Sequence, residues 1–401
     1  VAESGTRAGD RAGASAPDPT VLPGVVDRHV HLGLVAHREL AGSPVVEVHD
    51  LGWDPAEIRG IAAELGGGTV DRRSPGGSET HPSDRPRGDV DSLRSLNRRV
   101  RAVRVRYAGP FHAAPGGYPS GRSWAPTACV RGIETVADAA DAVSEALAAG
   151  SSAIKITLHA DFPALSDELL AALVSAARAA GLPAVVHAEG AGQARRAIEA
   201  GAAALVHAPW TERLPDEVLA LSAARGVEWI STLAIHSGDD LERALDNARR
   251  YAALGGRVSY GTDLGNGPAP VGVNEREIEL LGEIGLNGER LLEAVMPAAD
   301  PAGFLASPEP PPRTAAELIA WLRAAHRIDP SPSRTAHPSS CATKESQDPH
   351  DGFCALRLAP LAQHDRLRRA QPDEYRARTA RCSSVLLSTP QCTAGSLVLC
   401  S

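Results

Sequence analysis

The sequence lacks any apolar run approaching the ~20 residues of a membrane-spanning helix, so no such helix is expected. Val1 to Pro19 holds no apolar h-region, so no signal peptide is expected. Positive charge is not in excess either. A net charge of −8 and a pI near 6.0 argue against nucleic acid or an anionic membrane as main partners. The cysteines form no metal knuckle and no C-x-x-C pair. Cys129 stands alone, while Cys341, Cys354, Cys382, Cys392 and Cys400 all lie near the end of the chain. A disulfide-bonded tail stays open, but unpaired thiols in a poorly folded tail are the expectation, with a cytoplasmic body. No internal repeat is found. Arginine far outnumbers lysine, a bias that a GC-rich genome produces by itself.

What is present is ordinary globular material. With 401 residues, 43% hydrophobic and 22% charged, the chain can build one large α/β barrel or two average domains. Residues 1–20 read as a flexible lead-in of Gly, Ala, Ser and Pro. Strand-like and helix-like segments then alternate. Strands are expected at 21–32, 45–51, 102–109, 152–159, 183–189, 203–209, 228–234 and 257–263. Amphipathic helices fall between them, many stopped by a glycine: Pro55–Leu65, Thr135–Ala149, a helix opened by Ser166, Gln193–Ala200, Asp216–Arg225 and Asp239–Leu254. Asn274–Ile284 and Gly288–Val295 follow. This alternation argues for a closed parallel (β/α)8 TIM barrel over 21–300 before any doubly wound sheet. A polar Gly/Pro/Arg-rich insertion at 66–101 interrupts it. A helical extension over 301–330 with one helix, Thr314–Ile328, and an irregular or disordered tail over 331–401 complete the chain. That Ser/Arg/Pro/Cys tail has the character of an out-of-frame reading of a GC-rich gene.

The most informative stretch is VLPGVVDRHVHL, Val21 to Leu32. Side chains two apart on a strand share a face, so His29 and His31 project together, with Asp27 on the same side. Two adjacent imidazoles at a strand end suit a divalent metal, although His-x-His also arises by chance. Active sites of such barrels sit at the carboxyl ends of the strands. There stand Lys155 in AIKI, His187 in VVHAEG, His207 in LVHAP and Asp263 in YGTD. Each alone has a bland explanation. A core imidazole can be satisfied, Lys155 can pair with Asp161 or Glu189, and Asp263 can cap a turn. Six ligand-capable residues at one end of strands one, four, five, six and eight are harder to explain that way.

In order and type the set resembles the amidohydrolase superfamily, with the local sequences most similar to its imidazolonepropionase/prolidase-like branch. The matching pieces are LPGVVDRHVHLGL, VHDLGWDP, RYAGPFHAAPGGYPSG, AIKI, VVHAEG, LVHAP and YGTDLG. The resemblance implies that His29, His31 and Asp263 hold one metal ion, that carbamylated Lys155 bridges two, and that His187 and His207 hold the second. Two Zn per chain are implied, with Mn, Fe or Ni able to replace them. The implied reaction is hydrolysis of an amide or cyclic amide C–N bond of a small-molecule substrate by metal-activated hydroxide, with Asp263 as general acid/base. Substrate contacts are expected from loop residues His112, Tyr118, His159, Trp210 and His236. The small β-sandwich usual in this branch is expected to be reduced or missing, because nothing after residue 300 reads as returning strands. Homo-oligomerisation stays open. So do a mononuclear deaminase-like reading on His29, His31, His187 and Asp263, with Glu189 as acid, and a catalytically inactive barrel remnant.

Overall fold

The computed structural model describes residues 18–67 and 102–328, all within one compact unit. The expectations for most of the lead-in, for nearly all of the 66–101 insertion and for the 331–401 tail lie outside the described residues. The fold is mixed α/β. In chain order the strands are β1 (Thr20–Pro23), β2 (Val25–Val30), β3 (Val45–Asp50), β4 (Arg104–Tyr107), β5 (Phe111–Ala113), β6 (Val130–Gly132), β7 (Ile154–His159), β8 (Ala184–Glu189), β9 (Ala204–Leu205), β10 (Glu228–Ile230), β11 (Val258–Ser259), β12 (Phe304–Ser307) and β13 (His326–Ile328). The helices are α1 (Pro55–Leu65), α2 (Val136–Ala149), α3 (Asp167–Ala179), α4 (Gln193–Ala200), α5 (Asp216–Ala224), α6 (Gly238–Ala253), α7 (Glu275–Glu283), α8 (Gly288–Val295) and α9 (Ala315–Ala324).

Local chemistry explains the helix starts. Asp54 accepts from the Ala56 and Glu57 amides ahead of Pro55, and Ser166 and Asn274 cap α3 and α7 in the same way. Thr135 and Asp138 form a capping box at α2. No helix among the described residues is long and apolar enough to cross a membrane.

A seven-stranded parallel sheet runs in the order β11-β10-β9-β8-β7-β5-β6, and a three-stranded parallel sheet in the order β2-β3-β4. Hydrogen bonds join the two sheets on both sides. On one side β4 leads directly into β5, and Tyr107 O accepts from Ser152 N, just before β7, at 2.7 Å. On the other, Arg28 N donates to Tyr260 O (3.1 Å) and His31 N to Leu264 O (2.7 Å), beside a parallel bridge of Val30 with Leu264.

Period-two alternation then divides the strand residues between two environments. On β7, Ile154, Ile156 and Leu158 join the large apolar core that also takes in helix residues such as Leu173 and Ile198. Lys155 and His159 alternate with them. A smaller cluster of Leu51, Ala108, Ala153, Val185, Ala204, Val206 and Ile230 packs separately. Each fully buried Leu or Ile stabilises the fold by about 1.5–3 kcal/mol relative to exposure.

Three expectations need correction. Residues 21–32 do not form one strand: β1 leaves to pair antiparallel with β12 (Val21↔Ala306), and β12 pairs with β13 (Phe304↔Ile328). A small antiparallel sheet from both ends of the described chain therefore exists where no returning strand was expected. Its strands are three and four residues long and surrounded by Pro, too short for a periodicity signal. Likewise the helix expected to reach Ile328 ends at Ala324, where Ala325 turns extended (ψ 150°) and opens β13. Arg327 ties that strand to the three-stranded parallel sheet by donating to the Ser43 (2.8 Å), Ala102 (2.9 Å) and Val45 carbonyls.

Candidate metal centre

Strict alternation fails at the end of β2, where the register with β3 shifts between Asp27 and Val30. Asp27 turns its carboxylate to Thr262, accepting from its amide (3.0 Å) and hydroxyl (2.5 Å), and from the His29 amide (3.1 Å). His29 and His31 converge instead on Asp263: each Nε2 lies 3.3 Å from Asp263 Oδ1. The ligand atoms of these three buried residues all lie within 4.8 Å of one another.

Backbone carbonyls decide what the two imidazoles present. His29 Nδ1 is 2.9 Å from Val206 O, and His31 Nδ1 is 3.1 Å from Gly52 O. A carbonyl only accepts, so both Nδ1 atoms carry the proton and both Nε2 atoms are left to the site. In the neutral rings two nitrogen lone pairs then face one carboxylate oxygen. Such a set is stable only with a cation among its members, a proton or a metal ion, and the donor types suit a divalent metal.

Burial holds the His29 and His207 imidazoles well below their ordinary pKa, and lowers His187 as well. Burial works to raise Asp263, but a proton on the imidazoles that face it, His29 and His31 foremost, outweighs burial and holds the carboxyl well below its usual range. Lys155, 1% exposed, is pushed by burial down to about 7 against the pull of Asp263 and Asp50. Its Nζ lies 3.4 Å from His29 Nε2.

His187 and His207 stand beside this group, with ring centroids 5.0 Å apart and His207 4.8 Å from His29. They fall outside the three-residue cluster. His207 Nδ1 meets Thr232 Oγ1 at 2.8 Å, and His187 Nε2 meets Glu189 Oε2 at 3.1 Å. Of the expected substrate residues, four gather here. Tyr118 stacks on His187 (5.1 Å), Trp210 packs against His187 and His207, His236 stacks on Trp210 (4.8 Å), and His159 reaches Glu189 (3.2 Å). His112 stands apart. Its neighbour Phe111 approaches Lys155 and His31, whereas His112 bonds the Lys155 carbonyl (2.9 Å) and is held by burial at about 4.

Sequence reasoning missed three supports. Asp50 accepts from Leu32 N (2.7 Å) and Gly52 N (3.2 Å), pinning the backbone beside His31. As an acid at a strand end it met the criterion used for the other residues. Gly52 has φ +143°, and a Cβ there would lie 2.2 Å from the Phe111 ring. Thr232 is left-handed (φ 44°), a genuine outlier for a β-branched residue, and Asp263 shares the region (φ 53°). Each costs on the order of 1–3 kcal/mol, and both belong to this site. Neither strain has a sequence signal.

Comparison with solved structures follows the same lines. A Xaa-Pro dipeptidase with methionine bound in its active site is 19% identical over 77% of this chain and 84% of its own, with a TM-score of 0.54. The ochratoxinase of A. niger is 16% identical (77% and 81% covered, TM-score 0.51), and molinate hydrolase 16% (82% and 88%, 0.52). These are amidohydrolase-superfamily structures, and at such identities the likeness establishes a shared fold. No protein-family model and no curated protein sequence matches the chain.

Proposed function

We propose that this chain is a cytoplasmic, metal-dependent amidohydrolase that cleaves an amide or cyclic amide C–N bond of a small molecule. Its scaffold would be a closed (β/α)8 barrel formed by β2, β3, β4 and β7 to β11. The hydrogen bonds joining the two parallel sheets on both sides support that closure. The observation that carries the functional reading is the convergence of His29 and His31 Nε2 on Asp263 Oδ1, with Lys155 alongside.

His29, His31 and Asp263 would hold one ion, zinc fitting the donors well, with Mn, Fe or Ni as alternatives. Lys155, as its carbamate, would bridge to a second held by His187 and His207. Carbamylation takes one proton from the ammonium and releases a second as the amine nitrogen joins CO2, turning a cation into a two-oxygen anion. Divalent ions, when bound, supply Lewis acidity toward a carbonyl and acidify water. Asp263 accepts the proton of the attacking water and returns it to the leaving nitrogen. Asn266 Nδ2, 2.8 Å from Asp263 Oδ2, orients that carboxylate. Tyr118, Trp210, His159 and His236 would enclose the substrate.

A mononuclear, deaminase-like alternative draws on two observations. Only His29, His31 and Asp263 cluster as ligands among the described residues, and Glu189 lies against His187. Elemental analysis of protein purified without chelator, with bicarbonate present, separates the two, together with turnover of cyclic amides, N-acyl amino acids and dipeptides. Two ions with amide hydrolysis support the main reading, and His187→Ala should then lose one ion and the activity. One ion per chain selects the alternative. A folded protein with neither metal nor turnover sinks both.

A further inference from the structure

The 3-10 turn Leu233–Ile235 after β10 begins at Thr232, whose hydroxyl makes no bond to the turn's own amides. Ser and Thr at such a position ordinarily cap the free N–H groups that follow. Here the hydroxyl lies 2.8 Å from His207 Nδ1 instead. The amides it leaves are taken by a residue far along the chain: Glu277 Oε1 accepts from Leu233 N (2.9 Å) and Oε2 from Ala234 N (2.7 Å). Glu277 is fully buried in the first turn of α7, and its neighbours Ile278, Leu280 and Leu281 lock that helix into the core. Thr232 N, meanwhile, donates to Gly261 O (3.1 Å), in the loop leading to Asp263. A left-handed threonine persists only where its surroundings over-determine it, and these bonds from two sides do so.

We propose that Glu277 is a positioning residue, a cap supplied in trans that clamps the turn after β10 so that the Thr232 hydroxyl holds His207 with Nδ1 engaged and Nε2 turned to the site. With the turn capped by the buried carboxylate of α7, the Thr232 hydroxyl makes no bond to its own turn and faces the imidazole. The value of this arrangement to a metal rests on His207 being a ligand, as proposed above. The effect on the imidazole itself does not. Partners that orient a ligand histidine typically change metal affinity 10- to 100-fold when removed.

The first readout is the 15N chemical shifts of the His207 ring in full-length, metal-free protein, which report which nitrogen carries the proton. Wild type should show a single tautomer, since the Thr232 hydroxyl engages Nδ1 in one fixed arrangement. Thr232→Val, which keeps the shape and loses the hydroxyl, should show a mixture of tautomers, and Thr232→Ser should restore the wild-type pattern. Glu277→Gln, which retains one acceptor oxygen but presents an amide N–H to the second backbone amide, should resemble Thr232→Val. Should Glu277→Gln not fold, Glu277→Asp, one methylene short, should show the same mixture. The second readout is zinc titration: the weaker site should lose 10- to 100-fold in affinity in Glu277→Gln and Thr232→Val, and the tighter site should stay within a few-fold. An unchanged His207 tautomer in a folded Glu277 variant would overturn the proposal and leave Glu277 a structural brace only. A wild type that shows a single tautomer yet binds no zinc would refute the metal reading and leave the clamp standing.

Discussion

Glu47 on β3 offers a stability test remote from the chemistry. It lines a cavity of about 1090 Å3 with Arg28, His49, Arg106 and Glu228, a region that none of the candidate metal ligands lines. Its carboxylate meets Arg106 Nε at 2.7 Å, His49 Nε2 at 2.9 Å and Arg104 Nη1 at 3.2 Å, with its side chain 7% exposed. Burial pushes this carboxyl up, but the bonds from His49 and Arg106 outweigh burial and hold it at about 2, against an ordinary value of 4.5. The unfolded chain therefore binds the proton first as pH falls, and the contribution is complete above 4.5 and drains away toward 2. At about 1.4 kcal/mol per tenfold change in protonation, the full contribution is about 3 kcal/mol. Glu47→Gln keeps the volume and removes the charge. Arg104 and Arg106 are 36% and 43% exposed and also bond Asp300, so they rehydrate at little further cost. Urea unfolding of both proteins with chelator present should show the variant about 2–3 kcal/mol less stable at pH 7. The gap should shrink by about 1 kcal/mol between pH 4.5 and 3.5. A gap that does not change with pH, or none at pH 7, refutes the reasoning.

Three further outcomes are expected. Asp263→Asn should cost 10³-fold or more in kcat and weaken metal binding, because an amide neither accepts the proton nor neutralises a cation; steady-state kinetics and metal titration check it. Gly52→Ala should destabilise the fold by roughly 1–3 kcal/mol, since its Cβ meets Phe111 and its φ is strained, and because Gly52 O orients His31 the tighter metal site should weaken too. Trp210→Ala should raise KM more than it lowers kcat, since its ring packs on His187, His207 and His236; equal loss in both would point to a role in the chemistry.

Much of this molecule is legible in its residues because the signals are local and strong. Helices such as Gln193–Ala200 and Gly288–Val295 begin and end where glycine and amphipathic period say they should. Ile154 and Lys155 alternate because the pleat alternates. What escaped notice was short or non-local. β12 is held by pairing with β1, nearly 300 residues away in sequence, and β13 by pairing with β12, and neither carries a period of its own. The helix expected to continue to Ile328 has residues that suit a helix, yet tertiary pairing draws its end into β13.

For the site the same division holds. That His29, His31, Lys155, His187, His207 and Asp263 interrupt or follow apolar strand runs is visible in the chain alone, although Lys155 is the second residue of β7 and not its end. Which of them meet is not visible there. The shift at Asp27, the Val206 and Gly52 carbonyls that leave both Nε2 atoms to Asp263, and the separation of His112 from its neighbours all depend on where distant strands lie. Side-chain types and strand periods are written residue by residue, so the sequence by itself determined the candidate ligands. Tautomer, strain and ligand distance arise only when separate strands pack side by side, so the tertiary structure alone decided how those ligands face one another.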